Sequence, residues 1–257
     1  MKNSRIRRNT GIASGLRWAC FVSVAAILFV GCNREENTKN SSGVSGGTNT
    51  SRGENTMKPG PIVYVALGDS TGSGVGATNG GYVARLFKRL LDHRGGSGLV
   101  NLCVSGATTE DVLRSQLQQG VEKSPDLVTL GIGINDIGHN FSLDEFARNY
   151  DEILRALATK TNAAIVVTNI PDISSAPRIP LFARAEYQQQ IVRFNQRLGE
   201  IAQRHGVTVF DIHTITRREL PAHPEYFSSD GFHPSDEGYE LWAGEMWPTL
   251  AGLIGVK

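Results

Sequence analysis

The sequence predicts an α/β protein, a three-layer α/β/α sandwich around a five-stranded parallel sheet. Three observations carry this expectation. Five short runs rich in Val and Ile are spaced along residues 60–257, and patterns of helical period separate them. The runs are almost continuously apolar, as in strands covered on both faces, instead of alternating as in a sheet with one wet face. With 40% apolar residues overall, the chain can fill a sizeable core, and no internal repeat divides it. The region beyond residue 60 reads as one domain of about 195 residues.

The expected strands are "IVYVAL" (62–67), "LVNLCV" (99–104), "DLVTLGIG" (126–133), "AAIVVTNI" (163–170) and "VTVFDI" (207–212). The helical patterns are "GYVARLFKRLLDHR" (81–94), "TTEDVLRSQLQQG" (108–120), "SLDEFARNYDEILRALATK" (142–160) and "AEYQQQIVRFNQRLGEIAQRHG" (185–206). In the third, Phe146, Tyr150, Ile153 and Leu154 fall on one helical face. A last helix is expected over 235–253. In such sheets function gathers beyond the carboxyl ends of the strands, which directs attention to "GDSTGSG", "SGAT", "INDIGH", "PDISSAPRIP" and the tract leading to "SDGFHP".

The first 31 residues differ from the rest. Lys2, Arg5, Arg7, Arg8 and Arg17 make a basic start without acids, and "WACFVSVAAILFV" follows from Trp18 to Val30. That run is shorter than the roughly 18 apolar residues of a membrane-spanning helix, and it reads as the core of a secretory signal peptide over 1–31. It ends in "LFVGC", which resembles the lipobox of bacterial lipoproteins; that resemblance implies cleavage before Cys32 and a lipid on its thiol. Residues 32–59 lack aromatics and read as a disordered tether. Together these features predict export across the inner membrane and anchorage to a membrane of the bacterial cell envelope.

Removing residues 1–31 takes away five of the 26 basic residues and none of the 25 acids, leaving a formal charge of −4. That balance argues against a nucleic-acid partner. Cys20 would leave with the signal and Cys32 would carry lipid, so Cys103 would have no intramolecular disulfide partner.

The glycine-rich loop after the first run, "GDSTGSGVGATNGG", admits three readings. Gly72, Gly74 and Ala77 match a relaxed dinucleotide fingerprint, but no acid closes the second strand and no Lys-Ser/Thr pair follows for a P-loop. Gly68-Asp69-Ser70-Thr71-Gly72 is formally G-x-S-x-G, yet the nucleophile elbow of α/β-hydrolases follows several strands, and here one precedes it. The third reading needs partners elsewhere, and the chain supplies them. Gly106 follows the second strand, Asn135 the third, and Asp230 stands three residues before His233.

With these four blocks in order, the sequence is similar to the SGNH (GDSL) hydrolase superfamily. Gly68-Asp69-Ser70 matches the first block, Gly106 the second, Gly133-Ile134-Asn135-Asp136 the third, and Asp230-Gly231-Phe232-His233 the last. Thr71 stands where the family name has Leu. The resemblance implies a flavodoxin-like fold, hydrolysis of a carboxylic ester through an acyl-enzyme, and no cofactor. A serine hydroxyl needs a base to become a nucleophile, and imidazole titrates near neutrality. Ser70, His233 and Asp230 are therefore the expected nucleophile, base and orienting acid. The resemblance assigns the oxyanion hole to the Ser70 and Gly106 N–H groups and the Asn135 side chain. Asp69 and Asp136 are expected to brace their loops.

A metal site at His139 near Asn135 and Asp136, or at His213 with Asp211, has poor ligand spacing. The cleft lips are expected at 171–184 and 213–227, read as the least regular parts of the domain, with Arg178, Arg184, Arg217 and Arg218 available to an anionic group. Expected substrates are small-molecule, lipid or carbohydrate esters. A cell-envelope carbohydrate O-acetylesterase and a non-catalytic binding lipoprotein are the rival readings.

Overall fold

The structure, a computed structural model, describes residues 59–256. The expected signal peptide, Cys32 and all but the end of the expected tether lie outside the described residues. No helix among the described residues is long and apolar enough to cross a membrane.

Five parallel strands, β1 (Val63–Gly68), β2 (Gly98–Asn101), β3 (Leu127–Gly131), β4 (Ala164–Thr168) and β5 (Thr208–Phe210), form one sheet in the order β2-β1-β3-β4-β5. Alternate residues of β1 feed opposite faces. Val65 and Leu67 join a core completed by α6 (Leu143–Lys160) and α7 (Arg184–His205). Tyr64 and Ala66 join a second core under α2 (Tyr82–His93) and α9 (Asp236–Leu253). The three-layer expectation therefore holds. On the second face Tyr82 stacks on Trp242 with ring centroids 4.9 Å apart, tying α2 to α9.

The expected helices are present with some differences of detail. Ser142 caps α6 in a reciprocal box with Glu145, an arrangement that satisfies two otherwise orphaned N–H groups. The 108–120 pattern is broken into α3 (Thr109–Asp111), a π-helical turn at Val112–Gln116 and α4 (Leu117–Glu122). Three further helices interrupt expected loops: α1 (Ser70–Ser73), α5 (Ile134–Gly138) and α8 (Ile212–Glu219).

Helix α8 corrects the reading of 213–227 as irregular. Ile212, Thr214, Ile215 and Thr216 are β-branched and weak helix formers. Tertiary packing overrides them: Ile212 and Thr216 are buried, and Asp211 caps the helix by accepting from Thr214 N at 3.1 Å and from Thr214 Oγ1 at 2.6 Å.

The order 2-1-3-4-5 reverses direction between β1 and β3, the place where doubly wound sheets open a crevice. Gly68 and Gly131, the last residues of these strands, lie side by side in register. The segments after them carry Ser70 and Asn135, so topology alone brings two of the expected site residues to one crevice.

Candidate active site

Ser70 opens α1 directly after β1. Gly68 makes the exit possible: its φ is +147°, and a Cβ there would lie 2.3 Å from the carbonyl oxygen of Gly131. Asp69 then caps α1, its Oδ1 accepting from Thr71 N at 2.9 Å and Thr71 Oγ1 at 2.8 Å. Burial pushes the Asp69 carboxyl up to about 6, although the Thr71 bonds pull the other way. Asp69 thus braces the turn, and Ser70 sits 5% exposed at its start.

From the other end of the chain, residues 228–234 deliver the partners. His233 Nε2 lies 3.0 Å from Ser70 Oγ, and His233 Nδ1 lies 2.6 Å from Asp230 Oδ2. The other Asp230 oxygen accepts from Ser228 Oγ at 2.8 Å, Phe232 N at 2.8 Å and His233 N at 2.9 Å. Desolvation works to raise this carboxyl, but the bonds from His233, Phe232 and Ser228 outweigh it and hold the group far below the usual carboxylate range. An ionised Asp230 fixes one imidazole nitrogen as donor and leaves the other to accept from Ser70.

The segment after Ser70 is joined to the segment after His233. Asp236, three residues beyond His233, accepts from Thr78 N at 3.1 Å, Thr78 Oγ1 at 2.7 Å, Asn79 N at 3.0 Å and Arg85 at 2.5 Å. Two regions remote in sequence are thereby held in one register.

The loops after β2 and β3 are clamped together as well. Asn135 Nδ2 donates to the Ala107 carbonyl at 2.9 Å, and that amide keeps a second hydrogen to offer. Asp136, fully buried, accepts from Thr109 N at 3.1 Å and Thr109 Oγ1 at 2.5 Å. Burial raises its carboxyl to about 6 despite those bonds. Gly106 adopts φ +80°, with open space where a Cβ would be, so its backbone conformation and not crowding favours glycine. Its N–H makes no hydrogen bond among the described residues. The Ser70 N–H, first in its helix, has no helical partner either. The structure thus brings Ser70, His233 and Asp230 into hydrogen-bond contact and leaves donors at Ser70, Gly106 and Asn135 unspent on neighbouring loops.

Beside Ser70 and His233 opens a cleft of roughly 610 Å³, counted with its mouth. Ile134, Ile173, Ile212, Leu220, Phe227, Phe232 and Trp242 line it, with no carboxylate or guanidinium among the lining residues. The expected lips at 171–184 and 213–227 both contribute to it, but Arg178, Arg184, Arg217 and Arg218 do not line it. Among the described residues no group of three His, Cys, Asp or Glu is placed to hold a metal ion. His139 Nδ1 instead bonds the carbonyl of Asn135 at 2.7 Å.

Sequence reasoning missed one residue of this region, Gln116, whose side chain bonds the backbone of Gly68. The sequence signal was absent, because Gln116 stands among other glutamines in "SQLQQG" and only the π-helical turn turns it inward.

Known proteins resemble this chain in sequence and in fold. The sequence model of the GDSL-like Lipase/Acylhydrolase family matches residues 66–241. The chain belongs to that family. This acylhydrolase is 26% identical over 183 residues to an arylesterase of Vibrio mimicus, spanning 71% of this chain and 84% of the relative. In fold it is similar to an alpha/beta hydrolase enzyme from the metagenome of Lake Arreo, Spain. There the TM-score is 0.61 and the identity 23%, over 77% of this chain and 97% of the other. It is also similar to an acetylxylan esterase of Geobacillus stearothermophilus, with TM-score 0.60 and 20% identity over 78% and 98% of the two chains. As a member of its family, this acylhydrolase is an ester-hydrolysing enzyme acting on small-molecule esters.

Proposed function

We propose that the protein is a serine-dependent carboxylic ester hydrolase working through an acyl-enzyme, and that its substrates carry an apolar acyl or alkyl group. The observation that carries the mechanism is the continuous chain from Ser70 Oγ through His233 to Asp230, with contacts of 3.0 and 2.6 Å. In this reading Ser70 Oγ attacks the carbonyl carbon while its proton passes to His233 Nε2. Asp230 stabilises the imidazolium that forms. The developing oxyanion is met by the N–H groups of Ser70 and Gly106 and by the free hydrogen of the Asn135 amide. His233 then protonates the leaving alcohol, and a water, deprotonated by the same imidazole, releases the acid and restores Ser70.

The cleft lining supports the apolar substrate, since it offers contact area but little hydrogen bonding to a polyhydroxylated chain. The acetylxylan esterase among the structural relatives supports the second reading, a carbohydrate O-acetylesterase. A fluorophosphonate probe should label Ser70 alone, and Ser70→Ala should abolish both labelling and hydrolysis of p-nitrophenyl acetate. Labelling at another residue, or full activity in the mutant, would refute the mechanism. Comparing p-nitrophenyl hexanoate with acetylated xylan separates the two substrate classes.

The proposal also places the enzyme in the bacterial cell envelope, held by a lipid on Cys32. Its support is the basic start, the apolar run and the Gly31-Cys32 junction in the sequence. Incorporation of labelled palmitate that disappears in Cys32→Ser would establish it; equal labelling of both would refute it.

A further inference from the structure

Among the described residues two large apolar side chains stand apart from the rest of the surface. Leu181 is 80% and Phe182 90% exposed, whereas the next large hydrophobic side chain is 55% exposed. They are adjacent, and both occupy the short 3-10 turn Leu181–Ala183. Single exposed apolar residues are ordinary, but a paired and protruding set marks a contact surface.

The turn is firmly mounted and its mounting is the active site. Ala183 N donates to Pro180 O at 2.9 Å, closing the turn, and Ile179 beneath it is buried in the core. One residue earlier, Arg178 N donates at 3.0 Å to the carbonyl of Gly231, the residue between Asp230 and Phe232. The same segment supplies Pro171 and Ile173 to the cleft. The two side chains therefore project from a segment that joins the cleft wall to the Asp230–His233 loop.

Cations flank the pair. The exposed Arg178 makes no side-chain hydrogen bond or ion pair among the described residues. Arg184 spends only its Nε, on Ile179 O at 3.3 Å. Glu186, the nearest acid in sequence, leaves the stretch 178–186 with a net positive charge. Apolar side chains flanked by arginines match a surface whose interior is apolar and whose face is anionic.

We propose that the Leu181–Phe182 turn docks the enzyme on a negatively charged amphiphile–water interface, so that esters held in that interface are delivered to the adjacent cleft. This rests on the reading of Ser70 and the cleft as the ester-hydrolysing site. Removing either apolar side chain should weaken docking about tenfold or more, and reversing one flanking charge about fivefold or more on an anionic face.

The test uses the full chain and tributyrin, first dissolved below its solubility limit and then as an emulsion coated with phosphatidylglycerol or phosphatidylcholine. Leu181→Ser/Phe182→Ser should keep the wild-type rate on dissolved tributyrin within twofold and lose at least tenfold on the emulsion. Arg178→Glu should lose activity selectively on the phosphatidylglycerol-coated emulsion. Both side chains are solvent-exposed, so the melting temperature should not move, and a large drop would itself contradict the exposed placement. Equal emulsion rates in mutant and wild type overturn the proposal. So does an equal loss on dissolved substrate, which would make the turn part of the cleft. A wild-type dimer converted to monomer by the mutation would assign the turn to a second copy instead. An enzyme active on p-nitrophenyl acetate but inert on emulsions overturns docking alone, whereas inactivity on every ester overturns the reading of the site.

Discussion

The side-chain amide of Gln116 bonds both backbone groups of Gly68, accepting from its N–H at 2.8 Å and donating to its carbonyl at 2.9 Å. Gly68 lies two residues before Ser70 at the buried end of β1, and Gln116 is 2% exposed. The amide shares the Gly68 carbonyl with Val104 N, which donates at 3.1 Å, at the point where the Ser70 turn begins. Gln116→Leu would strand the buried Gly68 N–H, at a cost of about 1–3 kcal/mol, while the Gly68 carbonyl keeps its bond from Val104 N. The expected result is a loss of about 1–3 kcal/mol in urea unfolding together with a fall in kcat. Wild-type stability in Gln116→Leu would show that the amide contributes nothing.

Asp230→Asn isolates orientation from positioning. Asparagine can keep the bonds from Phe232 N and His233 N but cannot compensate an imidazolium. We expect kcat on p-nitrophenyl acetate to drop about 10³–10⁴-fold, with labelling of Ser70 slowed in parallel. A loss below tenfold would mean that His233 works without its acid.

Gly72 is small for a reason different from that of Gly68. A Cβ at Gly72 would lie 2.4 Å from Cys103 Sγ and 3.1 Å from Cys103 Cβ. Gly72→Ala should therefore destabilise the protein and displace Ser70. Gly72→Ala/Cys103→Ala should recover part of the stability and activity, because the closer of the two clashes is gone. Strictly additive effects in a double-mutant cycle would disprove this coupling.

Asp136 predicts a pH dependence of stability. Its folded-state value of about 6 lies above the ordinary 3.8. The folded protein therefore favours the protonated form, and this contribution is present below about pH 4 and lost as pH rises through 6. Asparagine mimics the protonated acid without titrating. The stability of wild type relative to Asp136→Asn should fall between pH 4 and 7, by up to about 3 kcal/mol. Urea titrations at several pH values measure it, and a constant difference would contradict the assignment.

The sheet and the positions of Ser70, Asp230 and His233 were readable in the sequence because each leaves a local mark. Near-continuous Val and Ile runs announce strands covered on both faces, and Asp230-Gly231-Phe232-His233 places an acid beside an imidazole in one turn. The residues that hold these groups leave no such mark. Gln116 matters only because a π-helical turn rotates it toward Gly68. Helix α8 is written in β-branched residues that favour strands, and burial of Ile212 and Thr216 decides the outcome. In "RIPLFAR" the arginines are readable as candidates for an anionic group, while the residue types of Leu181 and Phe182 say nothing of where they lie. Their exposure is a property of the folded loop.

Ser70 and His233 are 163 residues apart, and Asp236 fastens their two regions together. Under the proposed mechanism, β1 and α2 without residues 230–253 would hold a hydroxyl that has no base. The contact between Ser70 and His233 needs residues 230–253 packed against α2. In the proposed mechanism reactivity therefore depends on the last helix being in place, and a chain cut before residue 230 would be inactive toward esters.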